Sequence, residues 1–453
     1  MIKFYNYKYI NNEEHIYNSE TGQIFEVSEN IKHVISQENK TVEQAIEFLK
    51  NHMNEAKLKN YLNQLDSVGL LKTNKTEKIT KYNELTMQQE PIVTNMTLLV
   101  CQDCNLRCKY CYGDGGQYNQ KGKMSFEVAQ KSIDYLFKHS GNEKKLSIII
   151  FGGEPLINFA LIKQIVDYTK NKQKEFNKEC FFSMTTNGIL ITPEIEKYLL
   201  ENDIYVQVSI DGDETSTNCN RYNENGVGAY NSIIDNSEGI LRNRPTSARG
   251  TVTDSNLNML DSFEHLYDVG FMPIALAPAY NLISEENYEL LKANILKMID
   301  KFQEYIEQKN YIKCKAMKNV YNELVLIHES DIKRMYCAAG QRACAIDING
   351  DIFPCHRFVG NKQYCVGNVI EDKIDLKSYI EQVEPENEKC KLCWARSLCA
   401  GGCTYENLMA TGQINMASEA FCDIMKDKME SILNLYVNMT QEDRKILLEN
   451  MRK

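Results

Sequence analysis

The stretch Met96-Thr97-Leu98-Leu99-Val100-Cys101-Gln102-Asp103-Cys104-Asn105-Leu106-Arg107-Cys108-Lys109-Tyr110-Cys111 runs from an apolar segment straight into three clustered cysteines. Met96–Cys101 reads as a buried β-strand, with Cys101 as its buried end. Beyond it, Cys104, Cys108 and Cys111 have the spacing C-x3-C-x2-C. Three thiolates placed this way hold three irons of a cubane and leave the fourth open, whereas iron–sulfur clusters normally take four cysteines. A compact set of three therefore suggests an exogenous ligand at the open iron. A zinc site is the alternative; it needs a fourth ligand, and Cys101 is nearby.

Working outward, five further candidate strands follow: Leu146–Phe151, Phe182–Thr186, Tyr205–Ile210, Ala248–Val252 and Met272–Leu276. Helical stripes lie between several of them. One is Phe126, Ala129, Ile133 and Leu136 after Ser125; another follows Thr192, with Pro193 at the first helical position. Six βα repeats predict a parallel sheet curled into a barrel or partial barrel. A long helix over Ser284–Gln308 leads out of it. Before the barrel, Ile16-Tyr17 and Gln23–Val27 flank a glycine turn and read as a hairpin. Thr41 and Gln44 form a capping box for the next helix, and Leu58, Tyr61, Leu62 and Leu65 mark another. This is a small winged-helix-like module, followed by a polar stretch, Thr73 to Glu90, that reads as a linker. From Cys337 to Cys422 cysteines are dense and regular structure is sparse, so metal ligation would supply the folding free energy of that segment. Residues beyond Met425 read as a final helix. The expected domains are 1–85, 86–310, 311–425 and 426–453.

The 453 residues carry 62 acidic and 52 basic side chains, a net charge of −10, which excludes a global basic footprint for nucleic acid. No apolar run is long enough to span a membrane, and the start lacks a signal peptide, so the expected location is the cytoplasm. Sixteen cysteines against seven histidines in a reducing compartment favour thiolate metal sites over disulfides.

Three short motifs stand at successive expected strand ends: Gly152-Gly153-Glu154-Pro155, Thr185-Thr186-Asn187-Gly188 and Ser209-Ile210-Asp211-Gly212, with Arg221 ten residues beyond Asp211. Functional groups gather at such ends in α/β barrels. Together with the cysteine trio they resemble the radical S-adenosylmethionine (SAM) superfamily. The resemblance implies a [4Fe–4S] cluster on Cys104, Cys108 and Cys111 whose open iron chelates the amino and carboxylate groups of SAM. Electron transfer would then release a 5′-deoxyadenosyl radical that abstracts hydrogen. It further implies that Tyr110 lies beside the adenine, that Gly152, Gly153 and Glu154 hold the SAM amine, and that Asn187, Ser209 and Arg221 reach the ribose and methionine carboxylate.

The C-terminal pattern Cys390-x2-Cys393-x5-Cys399-x3-Cys403, followed by Cys422 and preceded by Cys337 and Cys355, resembles the SPASM extension of that superfamily. A zinc ribbon explains four of these cysteines. The SPASM resemblance implies one auxiliary [4Fe–4S] cluster on Cys390, Cys393, Cys399 and Cys422 and another on Cys337, Cys355 and Cys403, three clusters in all. The last needs one more ligand: Cys344, Cys365 or a substrate thiolate at an open iron. His356 reads as a hydrogen-bond donor near sulfur rather than a ligand. The expected fold class is thus α/β, a partial (β/α)6 TIM-like barrel with an N-terminal winged-helix-like module and a C-terminal iron–sulfur SPASM domain.

SPASM enzymes mostly modify peptides or proteins. The N-terminal module resembles the precursor-recognition element of ribosomal peptide maturases, which adds a leader peptide as a strand to a sheet edge; Ile24–Val27 is the candidate edge. The glycine-rich loop Cys111–Tyr118 and the segment Gly350–Phe358 resemble thioether-forming maturases. The leading expectation is a maturase that installs Cys thioether crosslinks in a ribosomally made precursor peptide, with a flavodoxin or ferredoxin as reductant. Sulfatase activation through formylglycine, carbon–carbon crosslinking, and a non-catalytic iron–sulfur electron carrier or peptide-binding scaffold are the alternatives.

Overall fold

The computed structural model describes residues 1–72, 91–383 and 388–449. The linker reading of Thr73–Glu90 and the expected boundary at 85/86 lie outside the described residues. The N-terminal part is a three-stranded antiparallel sheet, β1 (Tyr7–Ile10), β2 (His15–Asn18) and β3 (Ile24–Glu26), in the order β1-β2-β3. The β2–β3 hairpin is the one read around Gly22, with His15 opposite Glu26. Strand β1, which the sequence pattern does not announce, pairs Tyr7 with Asn18. Helices Glu29–Ile35, Val42–Leu49 and Glu55–Ser67 close a core of Phe4, Ile16, Leu49, Leu58 and Leu65. The capping box at Thr41 is formed in both directions with Gln44.

The central sheet is built from β4 (Asn95–Gln102), β6 (Lys145–Gly152), β7 (Glu179–Thr186), β8 (Ile204–Ser209), β9 (Ser247–Val252) and β10 (Ile274–Pro278). All six run parallel, in the order β10-β9-β8-β7-β6-β4. A two-residue strand, β5 (Gly122–Lys123), pairs antiparallel with the end of β4. β10 starts later than the expected Met272, because Pro273 has no N–H to give to the ladder. Alternation sets the two faces. In β6, Leu146, Ile148 and Ile150 are buried beneath the outer helices, while Ser147, Ile149 and Phe151 keep partial exposure on the inner face. The outer helices begin as their sequences direct: Ser125 caps Phe126–His139, and Thr192 caps Pro193–Glu201 with proline first. The long helix runs over Tyr288–Glu307, after a 3-10 turn at Glu285–Asn287.

The cysteine-rich segment holds more regular structure than expected. β11 (Ala343–Ile346) joins the free edge of β4 in parallel, and β12 (Asp351–Phe353), β13 (Gly367–Asn368) and β14 (Lys373–Ile374) continue the same sheet antiparallel. Strands this short carry little alternation, which is why the sequence does not reveal them. In place of the single final helix expected beyond Met425 there are two: Glu419–Asn438, which carries Cys422 on its first turn, and Gln441–Leu447. The N-terminal sheet docks on this lobe. Tyr17 Oη meets Ser397 Oγ at 2.8 Å, Asn6 Nδ2 donates to the Lys391 carbonyl at 2.7 Å, and Lys8 pairs with Glu430 at 2.8 Å. Among the described residues no helix is long and apolar enough to cross a membrane.

Removing the N-terminal cap by Thr41→Ala should cost about 1 kcal/mol in urea unfolding of the N-terminal module, followed by far-UV circular dichroism; an unchanged midpoint would show the cap to be idle.

Candidate functional site

The loop after β4 is stitched to the segment after β8. Arg107 N–H donates to the Tyr222 carbonyl at 2.7 Å and Lys109 N–H to that of Asn220 at 3.0 Å. This fixes Cys104, Cys108 and Cys111 above the C-terminal ends of the parallel strands. Cys104 Sγ accepts from Leu106 N–H at 3.4 Å and faces Asn187 Nδ2 at 3.7 Å; Arg221 Nη1 stands 4.0 Å from Cys108 Sγ. Glycines let backbone pass against backbone here. A Cβ on Gly153 would lie 2.3 Å from the Asp103 carbonyl oxygen, and one on Gly116 would lie 2.6 Å from Gly153 Cα and 2.8 Å from Cys104 Cβ. The glycine-rich segment after the trio is therefore a packed wall of the site, not a solvated turn.

Two buried carboxylates organise the strand ends. Glu154 accepts from Leu156 N–H at 3.0 Å, Thr186 Oγ1 at 2.8 Å and Asn187 N–H at 2.8 Å. Its side chain thus locks β6 to β7, and burial pushes its carboxyl up to about 7 despite those donors. Asp211 accepts from Nε and Nη2 of Arg221, at 3.1 and 3.2 Å, from Tyr110 Oη at 2.8 Å and from Thr251 N–H at 2.8 Å. Arg221 is buried and held by this pair, which leaves its Nη1 over, on the side of Cys108. Asn187 Nδ2 donates to Asn105 Oδ1 at 2.7 Å, and Ser209 ends β8 on the partly accessible inner face.

Of the other thirteen cysteines, seven fall into two groups. Cys390, Cys393, Cys399 and Cys422 line one small hollow of about 30 Å³. Cys337, Cys355 and Cys403 are electrostatic neighbours, with Arg357 among them. Cys344 does not join them. It sits in β11, fully buried in the apolar core beside Tyr135, and burial alone pushes its thiol up to about 12. Cys365 Sγ turns to the Gly367 carbonyl at 3.3 Å, near Asp351 and Asp347 and away from the other sulfurs. Cys180 and Cys314 are buried core residues.

The thiols of the trio are chemically suited to a polycation. Burial pushes Cys104 up to about 12 and Cys108 to about 11, with neighbouring sulfurs adding to both. Such groups become thiolates when iron supplies the compensating charge. Among the described residues no three His, Cys, Asp or Glu side chains converge on one ion-sized point; the thiolates of a cubane each take a different iron and stand farther apart.

Between the trio and the second cysteine group stands an aromatic wall. Tyr112 lies 5.8 Å from the His356 ring and 6.0 Å from that of Tyr405, His356 contacts Phe151 of β6 at 4.7 Å, and Arg357 covers Tyr112 while pairing with Glu406. His356 Nδ1 is 3.8 Å from Cys355 Sγ, and burial, reinforced by Arg357 and Arg249, pulls its imidazole down to about 3, so it is neutral at pH 7. The sequence reading missed Tyr112 and Arg249. The second had a signal: one arginine in the middle of an otherwise small and apolar strand, Ser247–Val252.

Residues 98–248 match the radical SAM superfamily. The chain is 30% identical over 312 residues to an uncharacterized protein, MJ0907, of Methanocaldococcus jannaschii, covering 67% of this chain and 95% of that one. This chain belongs to the radical SAM superfamily. It is also 25% identical over 368 residues to the radical SAM cyclopropyl synthase TigE of Paramaledivibacter caminithermalis, covering 76% and 75% of the two chains. Among solved structures, anSMEcpe with bound AdoMet is similar in fold at 18% identity, TM-score 0.66, covering 79% of this chain and 98% of that one. SuiB of Streptococcus suis, bound to its precursor peptide SuiA, is similar at 16% identity, TM-score 0.52, covering 93% and 99%. Radical SAM proteins bind a [4Fe–4S] cluster and SAM, and the partly accessible cysteine trio and its glycine wall fit that pair.

Iron analysis separates the sulfurs. Cys344→Ala and Cys365→Ala should keep the iron content of the radical SAM protein, whereas Cys355→Ala should lower it; iron loss in the Cys344 variant would contradict its place in the core. Glu154 gives a pH test. Its folded carboxyl titrates near 7 and its unfolded one in the ordinary carboxylate range, so in that window the folded state holds a proton that the unfolded chain has lost. Stability contributed by the group therefore falls as pH rises. Wild type should lose stability relative to Glu154→Gln between about pH 5 and 7, read from urea midpoints; parallel pH profiles would refute this.

Proposed function

We propose that this enzyme installs Cys thioether crosslinks in a ribosomally synthesised precursor peptide. The observation that carries the reading is the N-terminal sheet. β1 and β2 seat on the cysteine-rich lobe while β3, at the outer edge, has, among the described residues, a strand partner on one side only. An extended leader peptide added to that edge by backbone hydrogen bonds would be anchored to the lobe that holds the auxiliary cysteines. The likeness to SuiB with its precursor peptide spans 93% of the chain, against 79% for anSMEcpe. The larger share supports the peptide-maturase reading, because sulfatase activation does not call for a leader-binding module. The relatives named as sulfatase-maturating enzymes, such as that of Clostridium novyi at 23% identity over 66% of this chain, keep formylglycine formation as the second reading.

When bound, the [4Fe–4S] cluster and SAM supply a 5′-deoxyadenosyl radical able to remove a substrate hydrogen. In this reading Cys104, Cys108 and Cys111 hold that cluster. The backbone of Gly152–Glu154, free of side chains at its first two positions, accepts the methionyl amine. The Glu154 side chain acts as a positioning residue through Thr186 and Asn187, since its oxygens already serve three donors. Asn187, Ser209 and Tyr110 face the nucleoside, and Asp211 fixes the Tyr110 ring. Cys390, Cys393, Cys399 and Cys422 hold one auxiliary cluster. Cys337, Cys355 and Cys403 hold another with one position free for the peptide thiolate. The wall of Tyr112, His356 and Tyr405 separates that position from the trio and keeps water from the reacting carbon. His356, neutral, orients toward Cys355 without adding charge.

The test is incubation of the reconstituted enzyme with SAM, a strong reductant and the Cys-containing peptide encoded beside it. The peptide should lose two hydrogens and its thiol reactivity. SAM cleavage alongside an unchanged peptide would overturn the substrate class, and formylglycine in a sulfatase-derived peptide would establish the second reading.

A further inference from the structure

The inner face of the barrel carries two cations that no side chain among the described residues neutralises. In β9, Ala248, Gly250 and Val252 are buried against the outer layer, while Arg249 and Thr251 alternate to the inner face with partial exposure. Arg249 stands opposite Ser209 of β8 and opposite Ala275 of β10. Beyond β10 the sheet edge is taken by the start of helix Lys318–His328. Met317 bridges in parallel to Ile274, and Asn319 Oδ1 accepts from Leu276 N–H at 2.9 Å. The next rung therefore runs Ser209, Arg249, Ala275, Lys318. All four are partly accessible, and the rungs on either side are buried at Val208, Ala248, Ile274 and Met317, and at Ile210, Gly250 and Leu276.

Two strand spacings of about 4.8 Å separate Arg249 from Lys318, with only an alanine methyl between them. Among the described residues neither the guanidinium nor the ammonium makes a hydrogen bond or ion pair. The other two arginines near the lumen are taken: Arg221 by Asp211 and Arg357 by Glu406. Burial opposes both unpaired cations; the charge of Arg357 adds to the load on Arg249, and that of Arg249 to the load on Lys318. Unpaired charges held away from bulk water are costly unless an anion meets them. A planar guanidinium with a flexible ammonium beside it suits a carboxylate, the first giving paired hydrogen bonds and the second a point charge.

We infer that Arg249 and Lys318 form a carboxylate-reading pair that holds an aspartate or glutamate side chain of the substrate peptide in the barrel lumen. This rests on the reading of the substrate as a peptide, and it makes the pair a determinant of which peptide segment reaches the radical. An acidic residue next to the modified position would be gripped on the β9 and β10 side of the lumen, opposite β4. SAM also carries a carboxylate, so the test separates the two sources.

Binding to the SAM-loaded holoenzyme is measured by calorimetry with acetyl-aspartate amide and acetyl-asparagine amide, without turnover and without any precursor peptide. The aspartate compound should bind, the asparagine compound should bind at least about 10-fold more weakly, and Arg249→Gln and Lys318→Gln should each abolish the difference while iron content and SAM affinity stay unchanged. Equal binding of the two compounds to wild type would overturn the pair as a carboxylate site. Loss of SAM affinity in Arg249→Gln, with the discrimination intact, would assign the arginine to SAM and overturn it as well. With a peptide that is turned over, replacing its acidic residues one at a time by Asn or Gln should raise KM about 10- to 100-fold at one position, with no further rise in Arg249→Gln. Failure of every peptide to react would count against the proposed function and leave the calorimetric result standing.

Discussion

The Asp211 carboxylate is the interaction on which the site depends. It stands at the end of β8, buried, and four donors from three parts of the chain meet on its two oxygens. Tyr110 belongs to the cysteine loop, Arg221 to the segment that the loop is stitched to, and Thr251 to the neighbouring strand. A buried ion pair of this kind adds little net stability over an apolar contact, yet losing one partner strands the other charge. Its value is placement. With Asp211 in position, the loop has one conformation over the strand ends; without it, Arg221 would be an uncompensated cation against Cys108. Glu154 does the same for β6 and β7, and there the cost of burial is visible in a carboxyl raised to about 7.

These carboxylates show what the charged motif residues do for the scaffold. Glu154 serves backbone and hydroxyl donors of the neighbouring strands, and Arg221 gives Nε and Nη2 to Asp211. The residues left with unused capacity are less conspicuous: the bare backbone of Gly152 and Gly153, the Ser209 hydroxyl, one arm of Arg221, and the unpaired Arg249 and Lys318. A charged side chain in a linear motif reports that charge is needed near a site. Only the count of its partners tells whether it faces the ligand or the scaffold.

Much of the fold was legible because its signals are strong and local. Six apolar runs, several of them separated by helical stripes, specified the parallel strands, and Thr41, Ser125 and Thr192 marked helix starts that the structure keeps. What escaped was carried by pairing rather than pattern. β1 is held by its neighbour and by docking on the cysteine lobe, and β11 to β14 are two to four residues long. Cys344 shows the same limit from the other side. Spacing from Cys337 made it a ligand candidate, but β11 pairs with β4 in a register that sets Cys344 against Met96 in the apolar core. A one-residue alternation in a strand decides which face a sulfur takes, and linear spacing carries no information about that.

The inner face of the barrel follows from the same alternation. In a small barrel the inward positions are filled by side chains that meet in layers. Here β6 brings Ile149 and Phe151 to the inner face, but Ser147, Ser183, Gln207, Ser209, Thr251 and Ala275 beside them are too small or too polar to fill it. The structure therefore keeps an accessible lumen beneath the cysteine loop and lets two unneutralised cations line it. Filling the rung with apolar residues would stabilise the sheet more. The sequence instead retains charge where it is most expensive to hold, at the height of the strand ends to which the trio is bound. That placement makes the lumen selective for a partner bringing negative charge of its own, and it links recognition to the same strand termini that fix the cysteines.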